Sequence, residues 1–191
     1  MIEFDKKVIL ASASPRRQEL IKLIFDRVEI LPADCDETLP EGIGAREAVE
    51  YLSKIKNEAS AKLTDKENLI ISADTVVAVD DKILGKPIDK EDARRMISLL
   101  SGKVHQVYTG VTISLNGETR TFSEKTDVEF FNLTENEIEE YISSSEPYDK
   151  AGAYGIQGKA SLLVKGINGD YYNVVGFPIA RLKRELADFI R

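Results

Sequence analysis

Cysteine and histidine are nearly missing from this chain of 191 residues, with one of each, Cys35 and His105. No intrachain disulfide can form, and no Cys/His set is present to hold zinc. No apolar run approaches the length of a membrane span. The opening Met1-Ile-Glu-Phe-Asp-Lys-Lys is too charged for a signal peptide, so the cytoplasm is the expected location. Internal repeats, low-complexity tracts and linker-like stretches are also lacking, which leaves one continuous fold over 1–191. Cations are in deficit: 26 Lys and Arg face 33 Asp and Glu, a formal net charge of −7. A duplex-binding protein normally needs a basic face, so stable nucleic-acid binding is not expected. A small polyanion remains compatible, because a few local cations suffice for it, and the carboxylates could hold a hard divalent metal. What is present is ordinary for a soluble protein, 42% hydrophobic and 31% charged. A chain this long buries roughly 70% of its unfolded-state surface.

The most unusual stretch lies near the N-terminus, where the apolar Val8-Ile-Leu reads as a buried strand followed by Ala11-Ser-Ala-Ser14-Pro15-Arg16-Arg17. Ser14 suits a helix N-cap and Pro15 the first helical position, predicting a helix over 14–25. Two arginines then occupy the first turn, at the positive end of the helix dipole. Each misplaced cation costs about 0.3–1 kcal/mol, a price small enough for the side chains simply to point into water. A bound anion would reverse the sign, with backbone N–H groups and both guanidinium forks converging on it.

A short strand over 28–31 runs into the acidic Ala33-Asp-Cys-Asp-Glu37 loop, and a long helix follows over 45–63. At 100° per residue, Ala45, Ala48, Val49, Leu52, Ile55, Ala59 and Leu63 form one apolar arc. Lys56 falls inside it, so this lysine either snorkels outward or reaches a partner. The run 69–79 is apolar on both alternating faces, as in a strand covered on both sides, yet Asp74 sits in its middle. A carboxylate there must be paired, metal-bound or neutralised. Thr75 should face the opposite side, so both residues could meet one ligand only if the strand twists or bulges. Asp80-Asp81 reads as a turn into a short return strand.

Asp89 caps a helix ending at Ser101-Gly102, with Ile88 and Ala93 spaced for a hydrophobic staple. Alternation through 107–115 toward Asn116-Gly117 marks a hairpin returning through Phe122, Val128 and Phe130. Thr134-x-x-Glu137 is a capping box with Leu133 and Ile138 as its staple. Gly152, Gly155 and Gly158 fit no phosphate-loop or dinucleotide pattern; they suit either a plain turn-rich loop or a backbone brought close to a ligand. Residues 162–175, interrupted by Asn168-Gly169, read as a second hairpin before a final helix from Pro178. His105 has no nucleophile partner and reads as a packing or hydrogen-bonding residue. Hairpins mixed with strand–helix alternation predict an α/β protein, with a mixed twisted sheet, flanking helices and two lobes around a central cleft.

Four blocks carry a resemblance. They are Ala11-Ser12-Ala-Ser-Pro-Arg16-Arg17-Gln-Glu-Leu20, Ser72-Ala-Asp74-Thr75-Val-Val77, Leu84-Gly-Lys86-Pro87, and Glu146-Pro-Tyr-Asp-Lys-Ala-Gly-Ala-Tyr-Gly-Ile-Gln157-Gly158. In this order and spacing the chain resembles the Maf (septum-formation) proteins, and the last block looks like the subgroup acting as dTTP/UTP pyrophosphatases. The resemblance implies the fold of inosine triphosphate pyrophosphatases and hydrolysis of dTTP and UTP to the monophosphate and pyrophosphate, limiting their incorporation into nucleic acids. Modified pyrimidine nucleotides are further expected substrates. By position, Asp74 matches the catalytic aspartate, and Arg16, Thr75 and Gln157 the specificity positions. Arg17, Lys56 and Lys86 match phosphate-binding positions, and Ser12 joins the substrate-binding set. Glu37 matches an acidic position near the metal, so Glu37 and Asp74 are the expected ligands of a Mg²⁺ or Mn²⁺ cofactor. A homodimer is a further expectation of the family. The alternative reading, which the family name reflects, is a nucleotide-sensing regulator of cell division with incidental hydrolysis.

Overall fold

The computed structural model describes residues 2–32 and 34–190; Ala33, at the start of the acidic loop, lies outside them. The organising element is β3 (Leu69–Val79). One edge of β3 pairs antiparallel with β5 (Val104–Leu115) without interruption from 70 to 78. The other edge is shared. The short β1 (Val8–Leu10) pairs parallel with residues 69–71, and β4 (Lys82–Leu84) pairs antiparallel with 77–79. Among the described residues, no strand pairs with 72–76 on that side. Beyond these, β2 (Glu29–Ile30) extends the sheet from β1, while β6 (Glu118–Phe130) and β7 (Val164–Asn168) extend it from β5. The sheet is mixed, as the alternation of hairpins and helices predicts.

Turn chemistry fixes the hairpins. Asp80 and Asp81 take left-handed φ values of 49° and 59° between β3 and β4, and Asn116-Gly117 takes 54° and 89° between β5 and β6, the signature of turns whose twist matches the strands. The helices on the sheet are α1 (Pro15–Ile21), α2 (Ala45–Ala61), α3 (Lys90–Leu100), α4 (Glu135–Ile142), the short α5 (Tyr171–Val175) and α6 (Ile179–Phe189). Asp89 caps α3 by accepting from the Asp92 N–H at 2.7 Å, and both bonds of the Thr134/Glu137 capping box are present at α4.

Alternation along β3 sorts the core. Leu69, Ile71 and Ala73 join a cluster with Leu20, Ile21, Phe177, Leu182 and Leu186 beneath α1 and α6. Val77 and Val79, on the same face, join a second cluster with Met96, Ile97, Leu100 and Ile138 beneath α3 and α4. Val175 packs against both. These are the two lobes. The opposite face, with Ile70 and Val76, is covered by α2 and the β1–α1 turn.

Several expectations are corrected. The first helix is one of seven residues, not the longer 14–25. The predicted arc of α2 is displaced: Leu63 is 62% exposed, while Ser53, Asn57 and Ser60 are buried. The reason is hydrogen bonding. Asn57 Nδ2 donates to the Ile70 and Thr112 carbonyls at 3.2 and 3.1 Å, Ser60 donates to the Leu31 carbonyl at 2.8 Å, and Ser72 donates to the Ser53 carbonyl at 2.6 Å. Paired polar groups can be buried, so this face need not be apolar. The second predicted hairpin fails beyond β7. Asp170 caps α5 by accepting the Tyr172 N–H, and left-handed Gly176 ends it, so 171–175 coil instead of pairing. Ile88 is 88% exposed and staples nothing. Among the described residues no helix is long and apolar enough to cross a membrane.

Candidate active site

The unpaired stretch of β3 opens into a cleft of about 820 Å³. Its alternation sends Asp74 toward α2 and Thr75 toward α1, yet both line the cleft. No bulge is involved, since β3 keeps unbroken register with β5 from 70 to 78. With no strand beside 72–76, a cavity at that edge reaches side chains from both faces.

On the Thr75 side stands Arg17. Its Nε donates to the Gly176 carbonyl at 2.8 Å and its Nη1 to the Ala73 carbonyl at 2.7 Å. Nη1 also reaches Ser12 Oγ at 3.3 Å, and Nη2 meets Thr75 Oγ1 at 3.0 Å. Burial lowers the guanidinium pKa, opposed by the Asp74 charge. The fork expected at a phosphate is thus largely occupied by the protein, and its role is bracing as much as charge. Ser14 makes no side-chain cap; its N–H donates to Ser12 Oγ at 3.3 Å. Arg16 is freer, with one ion pair to Asp149 at 3.8 Å.

On the other side, Lys56 leaves α2 and ends between two carboxylates. Its ammonium forms a close ion pair with Asp74 and lies 2.9 Å from Glu37 Oε2. The Lys56 and Asp74 side chains are 18% and 14% exposed, so this pair is sheltered while Glu37 is open to solvent. Burial pulls the lysine pKa down, but Asp74 and Glu37 outweigh it and the net shift is upward. Two carboxylates gathered around one cation are also the donor set a Mg²⁺ ion accepts, one or two carboxylates completed by phosphate oxygens and water. Among the described residues no set of three or more His, Cys, Asp or Glu converges for a metal. The site therefore fits a metal completed by a substrate, not one caged by protein.

All nine residues singled out from the sequence, Ser12, Arg16, Arg17, Glu37, Lys56, Asp74, Thr75, Lys86 and Gln157, line this cleft. Lys86 and Gln157 are exposed and, among the described residues, have no side-chain partner in the protein. Sequence reasoning passed over Lys150, which also lines the cleft and donates to the Glu146 carbonyl at 2.7 Å. Its signal was available: Asp149-Lys150 directly precedes the glycine series. With Lys150 the cleft gathers five cations against three carboxylates, Glu37, Asp74 and Asp149. The local excess is positive in a chain whose net charge is −7.

The glycine series is packed against the protein itself. A Cβ on Gly152 would lie 2.9 Å from Val77, one on Gly155 2.7 Å from the Lys150 stem, and one on Gly158 2.2 Å from the Glu146 carboxylate. His105 is apart from the cleft. It is fully buried, hydrogen-bonded to Tyr154 at 2.7 Å and edge-on to Phe130. Burial takes its pKa down to about 4, which suits a neutral packing residue.

The backbone is similar to the Staphylococcus aureus Ham1 protein, with a TM-score of 0.55 at 18% identity, covering 94% of this chain and 100% of that one. It is also similar to a HAM1 protein from Coxiella burnetii, with a TM-score of 0.57 at 14% identity, covering 96% and 99%. At such identity the likeness concerns the fold alone. In sequence, the chain is 48% identical over 184 residues to a dTTP/UTP pyrophosphatase of Bacillus cereus and 50% identical over 184 residues to one of Bacillus cytotoxicus, covering 96% of each chain in both cases. The family profile described as Maf-like protein matches residues 7–189. With a profile match of that span and relatives this similar, the chain belongs to the Maf family.

Proposed function

We propose that the cleft binds dTTP or UTP and hydrolyses it to the monophosphate and pyrophosphate. The observation that carries this reading is the joining of Lys56 to Asp74 at the unpaired edge of β3, among five cations in one cleft. A triphosphate tail needs that surplus of positive charge, and water attack on its α-phosphorus needs a carboxylate nearby. Arg16 and Lys86 have the freedom to meet phosphate oxygens, while Arg17 and Lys150, both tied to backbone carbonyls, add charge from fixed positions. The flexible stem of Lys56 lets its ammonium pass from the carboxylates to a phosphate oxygen.

Asp74 accepts a hydrogen bond from the attacking water and takes its proton. The new bond joins the water oxygen to the α-phosphorus, and the bond to the bridging oxygen of the β-phosphate breaks. A bound Mg²⁺ or Mn²⁺, held by Glu37 and Asp74, supplies neutralisation of the phosphate oxygens. Gln157 offers an amide donor and acceptor side by side, matching the acceptor and donor edge of uracil or thymine. Ser12 and Thr75 line the same wall of the cleft, their hydroxyls accepting from Arg17 and so fixing its guanidinium beside the substrate.

A cytoplasmic location, a homodimeric state and a wider role in excluding modified pyrimidine nucleotides belong to the same proposal. The regulatory alternative is not favoured, because the relatives are named for catalysis. The test is incubation of the pure protein with dTTP or UTP and Mg²⁺ or Mn²⁺, with the products identified. Pyrophosphate and monophosphate in equal amounts support the proposal. Inorganic phosphate, or no turnover with either metal, refutes it.

A further inference from the structure

If Gln157 reads the base, something must hold it in place, and its own amide does not: among the described residues it has no partner in the protein. Its position is set by the backbone of 155–158, where the Gly158 N–H closes a turn onto the Gly155 carbonyl at 3.2 Å. Both ends of that turn rest on one short segment. At the first end, Gly155 lies against the aliphatic stem of Lys150, with room for no Cβ. At the second, both carboxylate oxygens of Glu146 accept the Lys159 N–H, at 3.0 and 2.8 Å, and press on Gly158. The two supports are tied together, because the Lys150 ammonium donates to the Glu146 carbonyl at 2.7 Å.

We infer that Glu146 is a positioning residue for base selection, holding the turn that presents Gln157 to the pyrimidine edge. The inference rests on the proposed reading of the cleft and adds to it the residue on which selectivity depends. Hydrogen-bond readout of a base tolerates little displacement, since a donor or acceptor moved out of range leaves its partner on the base unpaired. Glu146 is not among the residues that line the cleft and makes no hydrogen bond to Asp74, so its loss should alter base preference and leave the chemical step intact. A residue that merely caps the turn at 159–162 would lower stability without changing preference.

The experiment measures kcat and KM for UTP and CTP in wild type, Glu146→Ala, Glu146→Gln, Gly158→Ala and Gln157→Ala, with melting temperatures alongside. In Glu146→Ala the KM for UTP should rise roughly tenfold or more while kcat stays within about twofold. Its UTP/CTP ratio of kcat/KM should fall to that of Gln157→Ala. Glu146→Gln keeps an acceptor oxygen and should recover most of the preference. Gly158→Ala retains the carboxylate but displaces it from Lys159, so its ratio should fall as well, and a variant carrying both Glu146→Ala and Gly158→Ala should be no worse than either single one. A wild-type ratio in folded Glu146→Ala overturns the inference. If that variant does not fold, a wild-type ratio in Gly158→Ala overturns it instead. A wild-type ratio in Gln157→Ala removes the base reading, and this inference falls with it; a low ratio there beside a normal one in Glu146→Ala removes the positioning role alone.

Discussion

Arg17 Nη1 donates to the Ala73 carbonyl at 2.7 Å, at the part of the β3 edge where no strand pairs. A side chain does there what a neighbouring backbone N–H would otherwise do, and the same guanidinium holds Thr75 and the Gly176 turn. Arg17→Lys keeps the charge but offers a point donor that cannot serve these acceptors together. The expected outcome is a loss of roughly 2–3 kcal/mol in urea unfolding and a lower kcat/KM for UTP at temperatures where the variant is folded.

Asp74→Asn should separate binding from turnover. The amide keeps the shape of the side chain but cannot take a proton, and general-base catalysis is typically worth about 10²–10⁴-fold. Pyrophosphate release should drop by that order, while calorimetry still detects nucleotide binding. Turnover near wild type would remove Asp74 from the chemistry.

The approach of α2 to the sheet admits no extra atom at Gly110. A Cβ there would lie 2.2 Å from the Val49 carbonyl oxygen and 2.8 Å from the Glu50 nitrogen, both backbone atoms of α2. Gly110→Ala must therefore lift the helix, and overpacking of this kind costs about 1–3 kcal/mol or more. Because Lys56 rides on the same helix, activity should fall further than stability alone explains. Melting temperature and kcat, measured together, check this.

His105 provides a pH dependence of stability. Burial holds its pKa at about 4 against an ordinary 6.5. As pH falls, the unfolded chain takes up this proton first, so stability is complete above about pH 6.5 and declines toward pH 4, by roughly 3 kcal/mol in all. Thermal unfolding of wild type across this window should show that slope, and His105→Gln should show a shallower one.

The sequence was most legible where one local rule acted alone. The Asn116-Gly117 hairpin, the Thr134/Glu137 capping box and the buried run of β3 each follow from their own residues. It was least legible where a distant partner decided the outcome. Ser53, Asn57 and Ser60 read as the polar side of α2 because their acceptors, such as the carbonyls of Leu31, Ile70 and Thr112, are far away in sequence. Tyr171–Val175 carry strand-like residues, but Asp170 and Gly176 cap them into a helix. In the cleft, a lysine inside an apolar arc and a carboxylate inside an apolar strand were local anomalies, and each proved to answer the other. Lys150 showed no such conflict with its neighbours and was passed over.

The two strands flanking the gap in β3 are three residues long, and each is soon followed by a proline, Pro15 after β1 and Pro87 after β4. A ring without an N–H cannot lengthen a ladder. Had both strands run on until they met, their backbones would seal the opening along the edge of β3 that carries Asp74. Brevity at these two places is what keeps the molecule from zipping closed over its reactive centre.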